Sequence, residues 1–239
     1  MTALSIVIPV YNSAGSIELL TGRLAEALPQ ITDEFEVILV EDGSPDNSWG
    51  QIEQMLPRYE WLRALRLMRN YGQHNALLCG IRAARYDVIV TMDDDLQHAP
   101  ERIPELLNEL AQGYDVVYGS PKQERHSLFR NLASQVTKAV LQNAMGAETA
   151  SNISAFRVFR TEIRAAFANY SGPYVNIDVL LTWGTKRFSA VRVPHDVRAV
   201  GQSNYTFGKL VTHTFNMVTG FSALPLKLAS TLGFLLTLF

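Results

Sequence analysis

Four apolar runs in the first hundred residues each break into a polar cluster, and this recurrence constrains the fold more than any other feature. Leu-Ser-Ile-Val-Ile-Pro-Val (4–10) leads to Tyr11-Asn12, and Phe-Glu-Val-Ile-Leu-Val (35–40) leads to Glu41-Asp42-Gly43-Ser44. Leu-Arg-Ala-Leu-Arg-Leu (62–67) leads to Arg69-Asn70-Tyr71-Gly72-Gln73, and Asp-Val-Ile-Val-Thr-Met (87–92) leads to Asp93-Asp94-Asp95-Leu96-Gln97. Short, β-branched runs of this kind read as buried strands. Between them the apolar spacing is helical: Ile17, Leu20, Leu24 and Leu28 share a face of residues 16–28, and helices are expected at 48–56, 73–84 and 100–112. Pro100 sits near a helix start, where its missing N–H costs nothing. A fifth strand is expected at 115–118. Strands alternating with helices imply an α/β protein with a doubly wound, mostly parallel sheet flanked by helices. Ligands of such sheets bind outside the carboxyl ends of the strands, so the polar clusters bring four separated segments around one cleft.

After residue 120 the pattern changes. A long amphipathic helix is expected at 127–145, with short strands at 156–159 and 190–195. Residues 209–223 mix Leu210, Val211, Phe215, Met217, Val218 and Phe221 with Lys209 and His213, the composition of a juxtamembrane helix lying on a membrane surface. Residues 228–239 are uncharged and mostly apolar. A spanning helix needs about 20 residues, so this stretch reads as the start of a truncated transmembrane helix. A terminal core helix is the competing reading. Lys209 and Lys227 beside the apolar stretch fit a cytoplasmic domain.

The chain of 239 residues is long enough to bury a substantial core. Its net charge of −2 hides an asymmetry: residues 1–115 hold 8 Lys/Arg against 18 Asp/Glu, and residues 116–239 hold 13 against 5. An acidic half suits a metal ion, and a basic half suits phosphates or an anionic membrane; a solvated surface with uneven charge accounts for the same numbers. The single cysteine, Cys79, lies in an apolar run and reads as a core thiol. With no secretory signal at the start, these features fit a reducing cytoplasm.

Three adjacent carboxylates repel one another unless something neutralises them. A divalent cation does so, and Mg²⁺ or Mn²⁺ often bridges a carboxylate to substrate phosphates. Alternate residues of an extended segment share a face, so Asp93 and Asp95 point one way, Asp94 another, and Gln97 continues the register. A solvated acidic turn before Pro100 is the plain alternative. The Tyr11 ring suits stacking on a nucleobase, Asp42 suits hydrogen bonds from a base or ribose, and Gly43 permits close backbone approach. Each of these alone is also an ordinary turn. His74, His98 and His195 read as structural or surface residues, since none has a second His or Cys at metal spacing. No Gly-x-Gly-x-x-Gly turn follows the first strand, which argues against a dinucleotide-dependent dehydrogenase. No nucleic-acid-binding motif is present.

Taken in order, Ile-Pro-Val-Tyr-Asn, Glu-Asp-Gly-Ser, Arg-Asn-Tyr-Gly-Gln and Met-Asp-Asp-Asp-Leu-Gln-His resemble glycosyltransferase family 2, whose fold is GT-A. Within it the chain resembles the polyprenyl-phosphate glycosyltransferases, over nearly its whole length. The resemblance implies a catalytic domain at 1–208, with a nucleotide-binding half (1–119) and an acceptor-binding half (120–208), then the juxtamembrane helix at 209–223 and the membrane segment from 224. It implies transfer of a sugar, with inversion, from a nucleotide-diphosphate sugar to polyprenyl phosphate at the cytoplasmic face of an inner or plasma membrane. UDP is the expected nucleotide. Pro9, Tyr11, Asn12, Asp42, Gly43, Gln73, Asp93 and Asp94 would line the nucleotide-sugar site. Asp93, Asp95 and Gln97 would hold Mg²⁺ or Mn²⁺, Asp94 and Asp95 would act beside the donor, and Arg198 would close over the diphosphate. Arg125, Arg130, Ser134 and Ser203 would meet the acceptor phosphate. Related proteins point to a homo-oligomer held by membrane helices.

Three positions depart from the family pattern. Ser13-Ala14-Gly15 stands where acidic residues are common. Asn204 replaces a lysine that faces phosphate, a role Lys209 could take. Ser154-Ala155 precedes Phe156-Arg157 where an aspartate is common, leaving Asp178 as the candidate base for a hydroxyl acceptor, or else a structural carboxylate at a helix start. Two other readings stay open: a family 2 enzyme acting on a saccharide or lipid hydroxyl, and a non-catalytic membrane module that binds nucleotide-sugars.

Overall fold

The computed structural model describes residues 2–121, 152–172 and 174–194, together with residues 230, 231, 233, 234 and 237. The elements are β1 (Leu4–Val10), α1 (Ile17–Ala27), β2 (Phe35–Glu41), α2 (Ser48–Met55), β3 (Leu62–Arg66), α3 (Gln73–Ala83), β4 (Val88–Thr91), α4 (Ile103–Leu110), β5 (Val116–Pro121), β6 (Arg157–Arg160), α5 (Ile177–Gly184) and β7 (Phe188–Val193). Seven strands form one sheet in the order β3-β2-β1-β4-β6-β5-β7. All pairings are parallel except those of β6, which runs antiparallel to both β4 and β5.

The expected doubly wound sheet is present. Along β1, Leu4, Ile6, Ile8 and Val10 pack with α1, α2 and α4, while Val7 points to the other face with Ile38 and Val40 of β2 and the apolar side of α3. Both faces are covered, which is why β1, β2 and β4 are nearly continuous apolar runs, whereas the edge strand β3 carries Arg63 and Arg66. Gly80 lets α3 lie close on the sheet: a Cβ there would stand 2.4 Å from Val7 Cγ1.

Beyond residue 120 the sequence expectations need adjustment. The strand expected at 190–195 runs from Phe188 to Val193, α5 was anticipated only as a helix start at Asp178, and the long 3₁₀ turn Thr161–Phe167 was not foreseen. Ile-Asp-Val-Leu-Leu-Thr-Trp-Gly is short and mostly apolar, so no helical period shows in it. The helix expected at 127–145 and the amphipathic helix at 209–223 lie outside the described residues, as does most of 228–239. Among the described residues no helix is long and apolar enough to cross a membrane.

Two buried polar ties brace the sheet, the first at the amino ends of its strands and the second beside the rim. Glu36, inside β2, accepts hydrogen bonds from Ser5 Oγ (2.8 Å) and the Arg85 N–H (2.7 Å) and pairs with Arg63, which also donates to the Ala83 carbonyl at the end of α3 (3.0 Å). Arg157 of β6 pairs with Asp178 in the first turn of α5, and the Tyr118 hydroxyl of β5 donates to the same carboxylate oxygen at 3.0 Å. Burial and the Asp178 charge push the Tyr118 hydroxyl well above the usual tyrosine range.

Candidate active site

The loops after β1, β2, β3 and β4 meet at one rim and are laced together by side-chain bonds to main-chain groups. Asp42 is buried just past β2, and its two oxygens accept the N–H groups of Tyr71 (2.7 Å) and Gly72 (2.8 Å). That bond fixes the loop leading into α3. Burial raises the Asp42 carboxyl above its ordinary range, while the two N–H bonds hold it back and the neighbouring Glu41 charge adds to the rise. Gly43 has φ +65°, and a Cβ there would lie 2.5 Å from the Arg69 carbonyl carbon and 2.6 Å from the Asn70 nitrogen. The close approach anticipated at Gly43 is therefore made by the protein's own backbone.

The loop after β1 is held in the same way. Asn12 takes the left-handed conformation (φ +58°) that asparagine tolerates, and its N–H donates to Ser44 Oγ at 3.1 Å. The Ser13 N–H donates to Ser48 Oγ (2.9 Å) and the Ala14 N–H to Asp46 Oδ2 (2.9 Å). Burial alone would raise Asp46, but bonds from the Ser48 hydroxyl and the Ala14 and Ser48 N–H groups bring it below its ordinary range. Tyr11 carries a ring 37% exposed at the mouth of this loop. Pro9 is buried one turn below, in register with Val40 of β2.

The three carboxylates of the acidic run take separate partners. Asp94 turns back toward β1, where it accepts the Tyr11 N–H at 3.3 Å and a short bond from the Ser13 hydroxyl. Burial pushes its carboxyl up to about 6, against the pull of those two donors and with the Asp95 charge adding to the rise. Asp93 accepts the Gln73 side-chain amide at 2.5 Å, joining the turn to the start of α3. Asp95 is 8% exposed and accepts the Gln97 N–H at 3.1 Å. Between them Leu96 adopts φ +62°, an unfavourable conformation for leucine, with its side chain locked in the core beneath the turn.

The structure thus gathers Pro9, Tyr11, Asn12, Asp42, Gly43, Gln73, Asp93, Asp94, Asp95 and Gln97 on one rim. Arg125, Arg130, Ser134, Arg198, Ser203, Asn204 and Lys209 lie outside the described residues. Ser13, Ser44, Asp46 and Ser48 escaped the sequence reading; their signal was a cluster of small hydroxyl and Asx residues after two strand ends, legible only once those strands are neighbours. At Ser13, one of the departures from the family pattern, a carboxylate would face Asp94. Asp178 is drawn into a pairing with Arg157 and Tyr118 in the first turn of α5.

No group of three or more His, Cys, Asp or Glu side chains among the described residues is placed to hold a metal ion. The turn nonetheless fits one. Mg²⁺ and Mn²⁺ at phosphates need only one or two carboxylates, the rest of the shell being water and phosphate oxygen, and Asp93 and Asp95 offer two on one turn.

An acidic turn at the carboxyl rim of a doubly wound sheet, tied to a loop with an exposed tyrosine, defines an α/β enzyme that handles a nucleotide. The sequence matches Glycosyl transferase family 2 over residues 5–167. The chain belongs to that family and is a glycosyltransferase that uses a nucleotide-sugar. It is 36% identical over 230 residues, 96% of its length and 71% of the relative's, to the undecaprenyl-phosphate 4-deoxy-4-formamido-L-arabinose transferase of Photorhabdus laumondii. Among solved structures it resembles the glucosyl-3-phosphoglycerate synthase of Mycobacterium tuberculosis in complex with Mn²⁺, UDP-glucose and phosphoglyceric acid (TM-score 0.64, 18% identity, 91% of this chain and 77% of that one). It also resembles S. aureus TarS (TM-score 0.58, 18% identity, 81% of this chain), of which it spans 59%. At these identities the likeness to the solved structures establishes the fold.

Proposed function

We propose that this protein moves a sugar, with inversion, from a UDP-sugar to polyprenyl phosphate at the cytoplasmic face of a membrane, with Mg²⁺ or Mn²⁺ as cofactor. The observation that carries the reading is the split of the acidic run: Asp94 binds the β1 loop, while Asp93 binds the Gln73 amide at the start of α3 and Asp95 the Gln97 N–H within the turn. The name of the 36% identical relative supports the acceptor, and the fold neighbour bound to Mn²⁺ and UDP-glucose supports the donor and cofactor.

Asp93 and Asp95 would hold the metal, which supplies charge neutralisation for the departing diphosphate. Tyr11 offers a stacking face to the nucleobase. Asp42, whose oxygens each keep a second lone pair, accepts from base or ribose while holding the Tyr71–Gly72 main chain in place. Arg198 would close over the diphosphate, and Arg125, Arg130, Ser134 and Ser203 would meet the acceptor phosphate. A phosphate ester has a second pKa of about 6 and is already anionic at neutral pH, so such an acceptor needs orientation more than a general base. The engagement of Asp178 in a buried ion pair fits this economy of bases. The apolar stretch 228–239 and the amphipathic 209–223 would hold the domain at the membrane.

The test is a thermal-shift screen against UDP-, GDP- and TDP-sugars with and without Mn²⁺, followed by transfer to polyprenyl phosphate. A ligand that binds only the folded state raises its stability. A Mn²⁺-dependent shift confined to UDP-sugars is expected, together with a loss of transfer of at least about 100-fold in Asp95→Asn and Asp93→Asn, on the scale of removing preorganised charge at a transferring group. Undiminished transfer after chelation would overturn the metal's role.

A further inference from the structure

The antiparallel run of β6 brings a second segment to the acidic turn. Thr91 at the end of β4 is in register with Arg157 at the start of β6, so residues 152–156 arrive at the same rim as Asp93–Gln97. They are pinned there: Thr91 Oγ1 donates to the Ala155 carbonyl at 2.8 Å, and Ser120 Oγ donates to that of Asn152. Phe156 is buried beneath, and the His98 ring stacks on it with centroids 5.3 Å apart. His98 Nε2 stands 3.5 Å from Ser154 Oγ, and the Phe156 N–H donates to the same oxygen at 3.2 Å. His98 is itself buried, while Ser154 keeps an open side.

The geometry points to Ser154 as a hydrogen-bond donor to the acceptor's phosphate, with His98 as the positioning residue that sets its orientation. A hydroxyl has two lone pairs and one proton. The Phe156 N–H occupies one lone pair of Oγ, and we assign His98 the Nε2–H tautomer, in which it occupies the other. The hydroxyl proton must then point away from both, toward the open side. Such a group gives a hydrogen bond and takes none. It suits an anionic phosphate oxygen, to which such a bond is strongest, over a neutral hydroxyl, whose proton it cannot take. This inference rests on the polyprenyl-phosphate reading and adds to it the side chain that tells phosphate from hydroxyl.

The experiment measures binding of farnesyl phosphate and of farnesol to the whole chain in detergent, with no donor present. Wild type is expected to bind the phosphate and to discriminate against the alcohol. Ser154→Ala should weaken farnesyl phosphate binding about 10-fold, the scale of one hydrogen bond to a charged group, and Ser154→Thr should restore it. His98→Phe keeps a ring on Phe156 but removes the donor, and should weaken binding about fivefold. The Mn²⁺-dependent stabilisation by UDP should be equal in all four proteins, a readout that general damage to the fold would move. Farnesyl phosphate affinity unchanged in Ser154→Ala would overturn this inference alone. No binding of farnesyl phosphate by wild type would overturn it together with the acceptor reading.

Discussion

At the scale of single residues the rim depends on a few positions where chemistry and backbone leave little choice. Gly43 combines a left-handed conformation with backbone contact on the side where a Cβ would go. Gly43→Ala is expected to cost about 2 kcal/mol or more in chemical unfolding, since the conformation alone costs about 1–2, and to weaken UDP-dependent stabilisation because the Arg69–Gly72 loop must shift. Ser13 gives a sharper case. Its hydroxyl neutralises nothing yet satisfies Asp94, so Ser13→Asp should set two carboxylates against each other and lower the melting temperature at pH 8 more than at pH 5. Equal loss at both pH values would mean that size, not charge, is decisive.

At the scale of elements the question is how α5 and β6 are held where the two halves of the rim meet. The Arg157–Asp178 pair joins them with both charges out of water, and Tyr118 of β5 completes the contact. Removing one partner of a buried pair strands the other charge, typically at a cost of about 3–5 kcal/mol. Asp178→Asn should therefore destabilise strongly. Asp178→Asn combined with Arg157→Met should recover much of the loss, as measured by urea unfolding, and activity should follow folding rather than the carboxylate. This element was poorly legible in the sequence. Phe156-Arg157 and Val175-Asn176-Ile177-Asp178 each look like loop residues next to apolar ones, and nothing in either segment says that they meet. The first half was far more legible, because three of its four strands are nearly continuous apolar runs and each polar cluster follows a strand end. The acidic turn could be read from its alternation alone. The lacing of that turn by Ser13, Ser44, Asp46 and Ser48 could not, because it depends on which strands are neighbours.

At the scale of the whole molecule, two carboxylates at opposite ends of the sheet pull the pH dependence in opposite senses. Burial would raise Asp115, but hydrogen bonds from Arg187 and Thr185 and the charges of Arg187 and Arg160 bring it below its ordinary value. Its stabilising charge is fully present above the unfolded pKa of 3.8 and is lost as pH falls through the lower folded value. Asp94 is the reverse. With its folded pKa raised to about 6, it favours the native state below 3.8, and that advantage is lost as pH rises through about 6. In metal-free buffer, Asp94→Asn should gain stability relative to wild type between pH 4 and 6 and hold a constant margin above that. Saturating Mn²⁺ should shrink the margin, because a cation beside the turn favours the charged wild-type carboxylate. A margin that does not change with pH would show that Asp94 titrates as an ordinary surface carboxylate.

The place of β6 has a consequence in time as well as in space. β4 finds its outer partner only when residues 157–160 have been made, about 70 residues further along the chain. At a synthesis rate of about 5–20 residues per second, the Val-Ile-Val-Thr edge waits on the order of 10 s without the strand that will cover it. During that interval a nascent chain bearing four finished parallel strands presents a bare apolar edge, the kind of surface that templates association between copies. The strand that carries residues 152–156 to the rim thus also covers that edge on the ribosome.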